Sequence, residues 1–376
     1  MPLLLEPPSV FAVRDEYRIC ALAGAECTMG AEVGGRAHWD HSAGTLVSRR
    51  ALGDGVFLHT ARVPQAELDG ARSYTLRLRP VVERKPYFTE CGEPVAESFG
   101  FRPVAAGRAV RIVNLADAHS LVDEPVAAAV ACFGGPPDLL VLNGDIPDHS
   151  GDIANFASIY RIAGRVTRGA APCVFSRGNH DMRGNSAERL EDYVPSDGGR
   201  PYFVFRAGPV GGIVLDAAED KPDDHPEYGH TICAHAFRLE EDAFLDGALA
   251  DPLFRDAALR LVVSHKPLAF ELEPPFDIEK DLYRSWCARL RAARPHLMLT
   301  GHLHACFVEK PGGAHDTYGL PCLHVCSSRL RREEPRAFVC GAVEAALRSG
   351  GAPSVSVRFV DHAGVSEQAY DGPAGA

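Results

Sequence analysis

The sequence predicts an α/β protein preceded by an all-β segment, and three observations carry that expectation. Up to about residue 105, apolar positions alternate with polar ones and are broken by glycine-containing turns. From Arg108 onward, short apolar runs alternate with longer stretches that carry apolar residues at helical spacing. Five of the short runs end in Asp, Asn or His instead of ordinary turn residues. At 376 residues the chain is long enough for two domains, each with a full core.

Residues 1–105 read as short strands. Tyr17, Ile19 and Ala21 alternate with polar neighbours, as do Phe57, His59, Ala61 and Val63, and then Tyr74, Leu76 and Leu78. Gly34-Gly35, Gly53-Asp54-Gly55 and Asp69-Gly70 mark the turns, which is the pattern of a β-sandwich. The stretch from Leu68 to Leu76, with Tyr74 heading an alternating strand, resembles the tyrosine-containing corner of an immunoglobulin-like or fibronectin-III-like sandwich. His38, Asp40 and His41 read as a solvated turn. No catalytic spacing occurs in this segment, so three roles stay open for it: covering a site, homo-oligomerisation, or binding a partner. Phe101–Gly107 is the expected linker.

The second domain is expected over 108–376. Val110–Leu115 reads as a strand, Pro125–Phe133 as a helix, Leu139–Leu142 as a strand and Ile153–Val166 as a helix. Strands follow at 172–176, 202–206 and 212–216, then a helix near 240–249, a strand at 259–264, a helix at 279–292 and a strand at 296–299. Strands then dominate, at 304–308, 322–326, 337–343 and 354–360. Alternating strands and helices predict helices packed on a sheet, and the strand-rich end predicts a second sheet stacked on the first.

The formal charge of −11 argues against a phosphate-backbone-binding surface, so nucleic acid is not an expected partner. No apolar stretch approaches the length of a membrane helix, and the first residues lack a secretory pattern. The 11 cysteines are scattered without a C-x-x-C pair, and Cys132, Cys173, Cys322, Cys326 and Cys340 sit in apolar runs, as reduced thiols of a cytoplasmic protein would.

The five polar strand ends form one chemical set. Val113-Asn114-Leu115 leads to Asp117-Ala118-His119, and Val141-Leu142 to Asn143-Gly144-Asp145. Val174-Phe175 leads to Gly178-Asn179-His180-Asp181. The run 261–264 ends in His265, and 298–300 in Gly301-His302-Leu303-His304. The carboxyl ends of strands in an open α/β sheet line one crevice. Two Asp, one Asn and four His make a mixed oxygen and nitrogen shell suited to two divalent ions of the Mn, Fe, Zn, Co or Ni kind, not to Ca or Mg. Two such ions side by side clamp the attacking and leaving oxygens of an in-line displacement and lower the pKa of water.

The order D-x-H, G-D-x-x-D, G-N-H-D, a lone H and G-H-x-H resembles the calcineurin-like metallophosphoesterase superfamily over roughly 108–362. The resemblance implies a four-layer α-β-β-α sandwich. It implies that Asp117, His119, Asp145 and His304 hold one metal, and Asp145, Asn179, His265 and His302 the other, with Asp145 bridging. His180 would then assist the leaving group as general acid, oriented by the carboxylate of Asp148. The expected function is hydrolysis of a phosphomonoester or phosphodiester of a small molecule. The alternatives are a macromolecular hydrolase (nuclease or protein phosphatase) and a non-catalytic binding or scaffold protein on the same fold.

Two departures narrow the resemblance. Purple acid phosphatases share the domain layout but place a tyrosine ligand where Asp148 stands. Ser/Thr protein phosphatases follow the second motif with Arg-Gly, where this chain has His149-Ser150. Arg177 is expected either on a phosphate oxygen or in a salt bridge. The polar stretch Glu219–Tyr228 is expected to form a pocket loop. Arg177, His149, Lys221, His225 and Tyr228 are the substrate-contact candidates, while His315, His324, Arg329, Arg331 and Arg332 are expected to be structural or on the surface.

Overall fold

The structure is a computed structural model describing residues 2–330, 338–347 and 351–374. The N-terminal strands are Ser9–Val13 (β1), Glu16–Ala23 (β2), Cys27–Val33 (β3), Arg36–Trp39 (β4), Phe57–Pro64 (β5), Ser73–Glu83 (β6) and Val95–Gly100 (β7), with one short helix, Gln65–Ala71 (α1). The alternation in the sequence is the pleat itself: Tyr74, Leu76 and Leu78 are buried while Arg77 and Arg79 are exposed. β7, β6, β3 and β4 form one antiparallel sheet in that order.

The other strands of the segment go elsewhere. β1, β2 and β5 extend the large sheet of the α/β region, and β1 lies parallel to the strand Pro172–Ser176, with Val10 opposite Pro172 and Phe11 opposite Cys173. Backbone pairing therefore runs unbroken across the two sides of the 101–107 linker. The Tyr74 hydroxyl does not close a corner inside its own sandwich. It donates to the carbonyl of Gly169 at 2.9 Å, in the turn before residue 172. Asp40 is also not a solvated turn residue: it is buried and accepts from Nδ1 of His59 at 3.2 Å and from the Thr60 amide at 3.1 Å, while His41 is exposed.

The α/β region continues with Val110–Leu115 (β8), Asp123–Phe133 (α2), Leu139–Asn143 (β9), Ala157–Thr167 (α3), Pro172–Ser176 (β10), Phe203–Ala207 (β11), Val210–Leu215 (β12) and Ala234–Ala250 (α4). After these come Leu259–Ser264 (β13), Lys280–Ala293 (α5), Leu297–Thr300 (β14), Cys306–Glu309 (β15), Leu323–Ser327 (β16), Phe338–Ala346 (β17), Ser354–Asp361 (β18) and Ser366–Pro373 (β19). The large sheet runs β19-β18-β17-β8-β9-β10-β1-β2-β5, and a second sheet runs β11-β12-β13-β14-β16-β15. β8, β9 and β10 are mutually parallel, as are β12, β13, β14 and β16.

Both faces of these parallel strands are covered, which is why their sequences are continuously apolar. Leu139 and Val141 point between the sheets, together with Leu261, Val263 and Leu299. Leu140 and Leu142 point the other way, onto Ile159, Ile162 and Ala163 of α3 and Ala128 and Ala129 of α2. On the far side, Val262 and Met298 meet Leu245 of α4 and the α5 stripe Tyr283, Trp286, Cys287 and Leu290. That stripe has the i, i+3, i+4, i+7 spacing of one helical face. Each such side chain contributes about 1.5–3 kcal/mol on burial. The layers are helices, sheet, sheet, helices. The inter-sheet core also takes in Tyr17, Met29, Tyr74 and Leu76, so the N-terminal segment shares it.

His324 is buried, as expected of a structural residue, with Nε2 2.7 Å from the Thr300 hydroxyl. Arg331 and Arg332, and the side chain of Arg329, lie outside the described residues. None of the described helices is long and apolar enough to cross a membrane. No disulfide joins any of the eleven cysteines, all of which lie among the described residues.

Candidate metal centre

The carboxyl ends of β8, β9 and β10 in one sheet face those of β13 and β14 in the other, and buried amides join them. Asn114 Nδ2 donates to the Thr300 carbonyl at 2.9 Å and to the Ser327 hydroxyl at 2.7 Å, and Asn143 Nδ2 donates to Asn114 Oδ1 at 3.1 Å. Above this floor the backbone bends sharply. Asp117, His119, Asp145, His302 and His304 all have left-handed φ, between 44° and 68°. A non-glycine residue there costs about 1–3 kcal/mol, and such strain persists only where surroundings enforce it.

The surroundings do so through cross-loop bonds. The amides of Asp117 and His119 donate to the carbonyls of Gly144 and Asp145 at 3.1 and 3.0 Å, and the Gly301 amide to the His265 carbonyl at 2.9 Å. Asp117 Oδ2 accepts from the His302 amide at 3.0 Å, and Asp145 Oδ1 from the His180 amide at 2.8 Å. Gly178 permits this packing, since a Cβ there would sit 2.2 Å from Asp145 Oδ1.

The side chains collect into groups. Ligand atoms of Asp117, His119 and His304 lie within 4.8 Å of one another, and so do those of Asp145, His265 and His302. Asn179 joins the second group, its Oδ1 3.0 Å from Nδ1 of His302. Asp145 Oδ2 lies 3.2 Å from Nε2 of His265, whose Nδ1 donates to the Asn143 carbonyl at 2.7 Å. A carbonyl only accepts, so Nδ1 carries the hydrogen and Nε2 is left to face the carboxylates.

Charge in this buried cluster is poorly compensated by the protein alone. Burial disfavours a charged His265, but Asp145 and Asp117 outweigh it and push the imidazole up to about 10. Burial likewise opposes the charge of Asp145, yet His265, His180 and His119 hold that carboxyl well below its usual range. Burial raises the Asp117 carboxyl, and burial with the neighbouring His265 and Lys266 lowers His302 to about 3. Asp117 Oδ1 and His265 Nε2 are buried without a hydrogen-bond partner. Orphaned ligand atoms among buried carboxylates fit divalent cations.

The other expected site residues separate. His180 lines the cavity in front of these groups, a space of about 420 Å³, together with Lys221. Its hydrogen bond goes to the backbone of Asp148, although the Asp148 carboxylate stands in one group with His119 and His180, their ligand atoms within 4.8 Å of one another. Nδ1 of His180 donates to the Asp148 backbone carbonyl at 2.7 Å, while the carboxylate lies 3.3 Å from Nδ1 of His119. The tight turn at 145–148 gives His180 its hydrogen bond through the peptide, not the side chain. Asp181 accepts from the amides of Gly178 and Asp145 at 2.6 and 3.1 Å, and burial with Asp145 beside it pushes its carboxyl up to about 8.

Arg177 takes the second of its two expected places. Its Nε donates to buried Asp216 at 2.5 Å, and its guanidinium stacks 5.0 Å over Phe237. His149 and His225 accept from the amides of Gly151 and Glu227 at 3.0 and 3.3 Å, closing their own turns. Tyr228 is buried behind the cavity wall, donating to Glu219 Oε2 at 3.0 Å.

Three groups were missed in the sequence. Arg183 and Phe276 line the cavity, and Lys266 is buried beside His265 with its ammonium orphaned. Burial and Arg238 lower the Lys266 amine to about 7. Reading the Gly-Asn-His-Asp motif one turn further reaches Arg183, whereas Phe276 carries no local signal.

The family model of the calcineurin-like phosphoesterases matches residues 110–306. The chain is similar in fold to a purple acid phosphatase, PPD1, from yellow lupin seeds, with 13% identity and a TM-score of 0.60, covering 97% of this chain and 73% of that one. It is also similar in fold to PhoD, with 12% identity and a TM-score of 0.53, covering 98% of this chain and 94% of that one. No curated protein matches the sequence.

Proposed function

The chain belongs to the calcineurin-like phosphoesterase family and is thereby a metal-dependent phosphoric ester hydrolase, and we propose that it uses two divalent transition-metal ions, of the Mn, Fe, Zn, Co or Ni kind, to hydrolyse a small phosphomonoester or phosphodiester. One observation supports the two-metal reading: two ligand groups, Asp117 with His119 and His304, and Asp145 with His265 and His302, stand side by side, with Asp117 Oδ1 3.8 Å from Nε2 of His265. Asp117, His119, Asp145 and His304 would hold one ion, and Asp145, Asn179, His265 and His302 the other. Bound there, such ions lower the pKa of water and neutralise charge on phosphoryl oxygens.

The chain's own residues position the substrate around that centre. Displacement is in line, with His180 on the leaving-group side. Its Nδ1 is committed to the Asp148 carbonyl, so Nε2, which faces Arg183 Nη1 at 3.3 Å, is the nitrogen that would serve the leaving oxygen. Lys221 is held by Glu227 at 3.0 Å and lies 5.2 Å from the Phe276 ring, which supports a pocket with one cationic and one apolar wall. A cavity of about 420 Å³ suits a small ester better than a nucleic acid or a protein surface. Eleven cysteines, six of them beyond the five in apolar runs, held as thiols and not as disulfides support a cytoplasmic location. Exposed Val82, Tyr87, Phe88 and Val95 support a homo-oligomer formed through residues 1–105.

The test is a metal-reconstituted screen over mono-, di- and pyrophosphate esters, with Asp145→Asn and His180→Ala beside the wild type. Metal-dependent turnover that both variants abolish while staying folded is the expected result. Undiminished turnover in both would sink the assignment.

A further inference from the structure

Arg183 stands three residues after His180 and lines the same cavity. Glu219 grips one edge of its guanidinium: Nε donates to Oε1 at 2.7 Å and Nη2 to Oε2 at 3.0 Å. The Glu219 side chain is fully buried and its Oε2 also accepts from the Tyr228 hydroxyl at 3.0 Å, so the grip is itself fixed. The third nitrogen, Nη1, is left pointing at the site, 3.3 Å from Nε2 of His180. His180 Nδ1 carries the hydrogen it gives to the Asp148 carbonyl, so Nε2 accepts from Nη1 as a neutral ring nitrogen.

A salt bridge alone does not account for this placement. Glu219 takes Nε and one hydrogen of Nη2, with Asp220 Oδ1 3.8 Å from Nη2, and the third nitrogen is spent on an imidazole in a cavity mouth where the Arg183 side chain is still 28% exposed. An anionic oxygen is a much stronger partner for a guanidinium N–H than an imidazole is. The wall made by Leu272 and Phe276 is apolar and fits the organic part of an ester.

We propose that Arg183 binds a non-bridging phosphoryl oxygen of the substrate, and that the site therefore prefers phosphate monoesters to diesters. The proposal rests on the phosphoesterase reading above. A monoester has three non-bridging oxygens and a charge of about −1.5 to −2 at neutral pH. A diester has two, and its second organic group stands where the third oxygen would be. A fixed cation supplementing the metal-ligand groups finds an acceptor in the first case and an uncharged substituent in the second. Substrate entry moves Nη1 from His180 to the oxygen and leaves Nε2 to take up a proton from solvent, which it then gives to the leaving oxygen.

The experiment compares para-nitrophenyl phosphate with bis(para-nitrophenyl) phosphate in the wild type, Arg183→Ala and Arg183→Lys, all metal-loaded. Calorimetric titration with inorganic phosphate runs in parallel. The wild type is expected to favour the monoester. Arg183→Ala is expected to lose about 100-fold in kcat/KM on the monoester, as loss of one oxyanion donor does, and far less on the diester. Phosphate affinity should fall about tenfold, and Arg183→Lys should recover part of both losses because it keeps the charge without the fork. Equal losses on the two esters, or unchanged phosphate affinity with unchanged Tm and metal content, would overturn the proposal. If Arg183→Ala does not fold, Arg183→Lys decides by the same ratio. If the wild type hydrolyses neither ester with any metal, the phosphoesterase reading fails, and the phosphate titration alone decides the role of Arg183.

Discussion

Nδ1 of His265 lies 2.7 Å from the carbonyl oxygen of Asn143, a bond that joins the end of β13 in one sheet to the end of β9 in the other. It sets the tautomer of a ligand and fastens two layers at once. The neighbouring Gly144 makes it possible, because a Cβ there would sit 2.4 Å from the His265 ring. Metal chemistry and sheet packing are thus the same contact.

Metal loading should release protons. The His265 imidazole is pushed up to about 10 by Asp145 and Asp117 despite its burial, so at pH 7 without metal it is protonated. A ligand nitrogen must be neutral, so metal affinity should rise with pH up to about 10 and level above it. Calorimetry in buffers of different ionisation enthalpy should count about one proton released per protein at pH 7. No released proton would contradict the assignment of His265.

Asp181 makes the metal-free protein sensitive to alkali. Its carboxyl rises to about 8 in the fold, above the unfolded value of about 3.9, so the folded state binds the extra proton between these limits. Its contribution is fully present below about pH 4 and is lost as pH rises through about 8. Asp181→Asn can still accept from the Gly178 and Asp145 amides. In chelator, its Tm relative to wild type should climb across that window and then level; parallel Tm curves would refute this.

Gly178→Ala should damage the centre more than the fold. The added Cβ meets Asp145 Oδ1 and its amide nitrogen at 2.2 and 2.4 Å. Displacing a shared ligand should cost about 10²-fold in activity, as small misplacements at a reacting centre do. Elemental analysis after dialysis should show metal lost from a protein whose circular dichroism is unchanged.

Tyr74→Phe tests the attachment of the N-terminal segment. It removes one buried hydrogen bond, to the Gly169 carbonyl at 2.9 Å, and leaves that acceptor without its partner. A destabilisation of about 1–3 kcal/mol is expected, read as a lower denaturant midpoint with unchanged slope.

Local pattern announced the strands of the α/β region well. β8, β13 and the helix at 280–293 fall almost where periodicity puts them, because each needs only its own apolar spacing. The ligand set was legible for a similar reason: each member follows a strand, and parallel strands deliver their carboxyl ends to one edge. β1, by contrast, is simply Ser-Val-Phe-Ala-Val, and nothing in it names β10 as its partner across about 160 residues.

The sequence by itself determined the alternation of strands and helices in the α/β region and the ligand types of the centre, since periodicity and residue chemistry are local properties. The tertiary structure decided which atom of Asp148 reaches His180, that Arg177 turns to Asp216 while Arg183 turns to the cavity, and that the N-terminal strands continue the large sheet. Those outcomes depend on backbone direction and on partners far along the chain, which no spacing encodes.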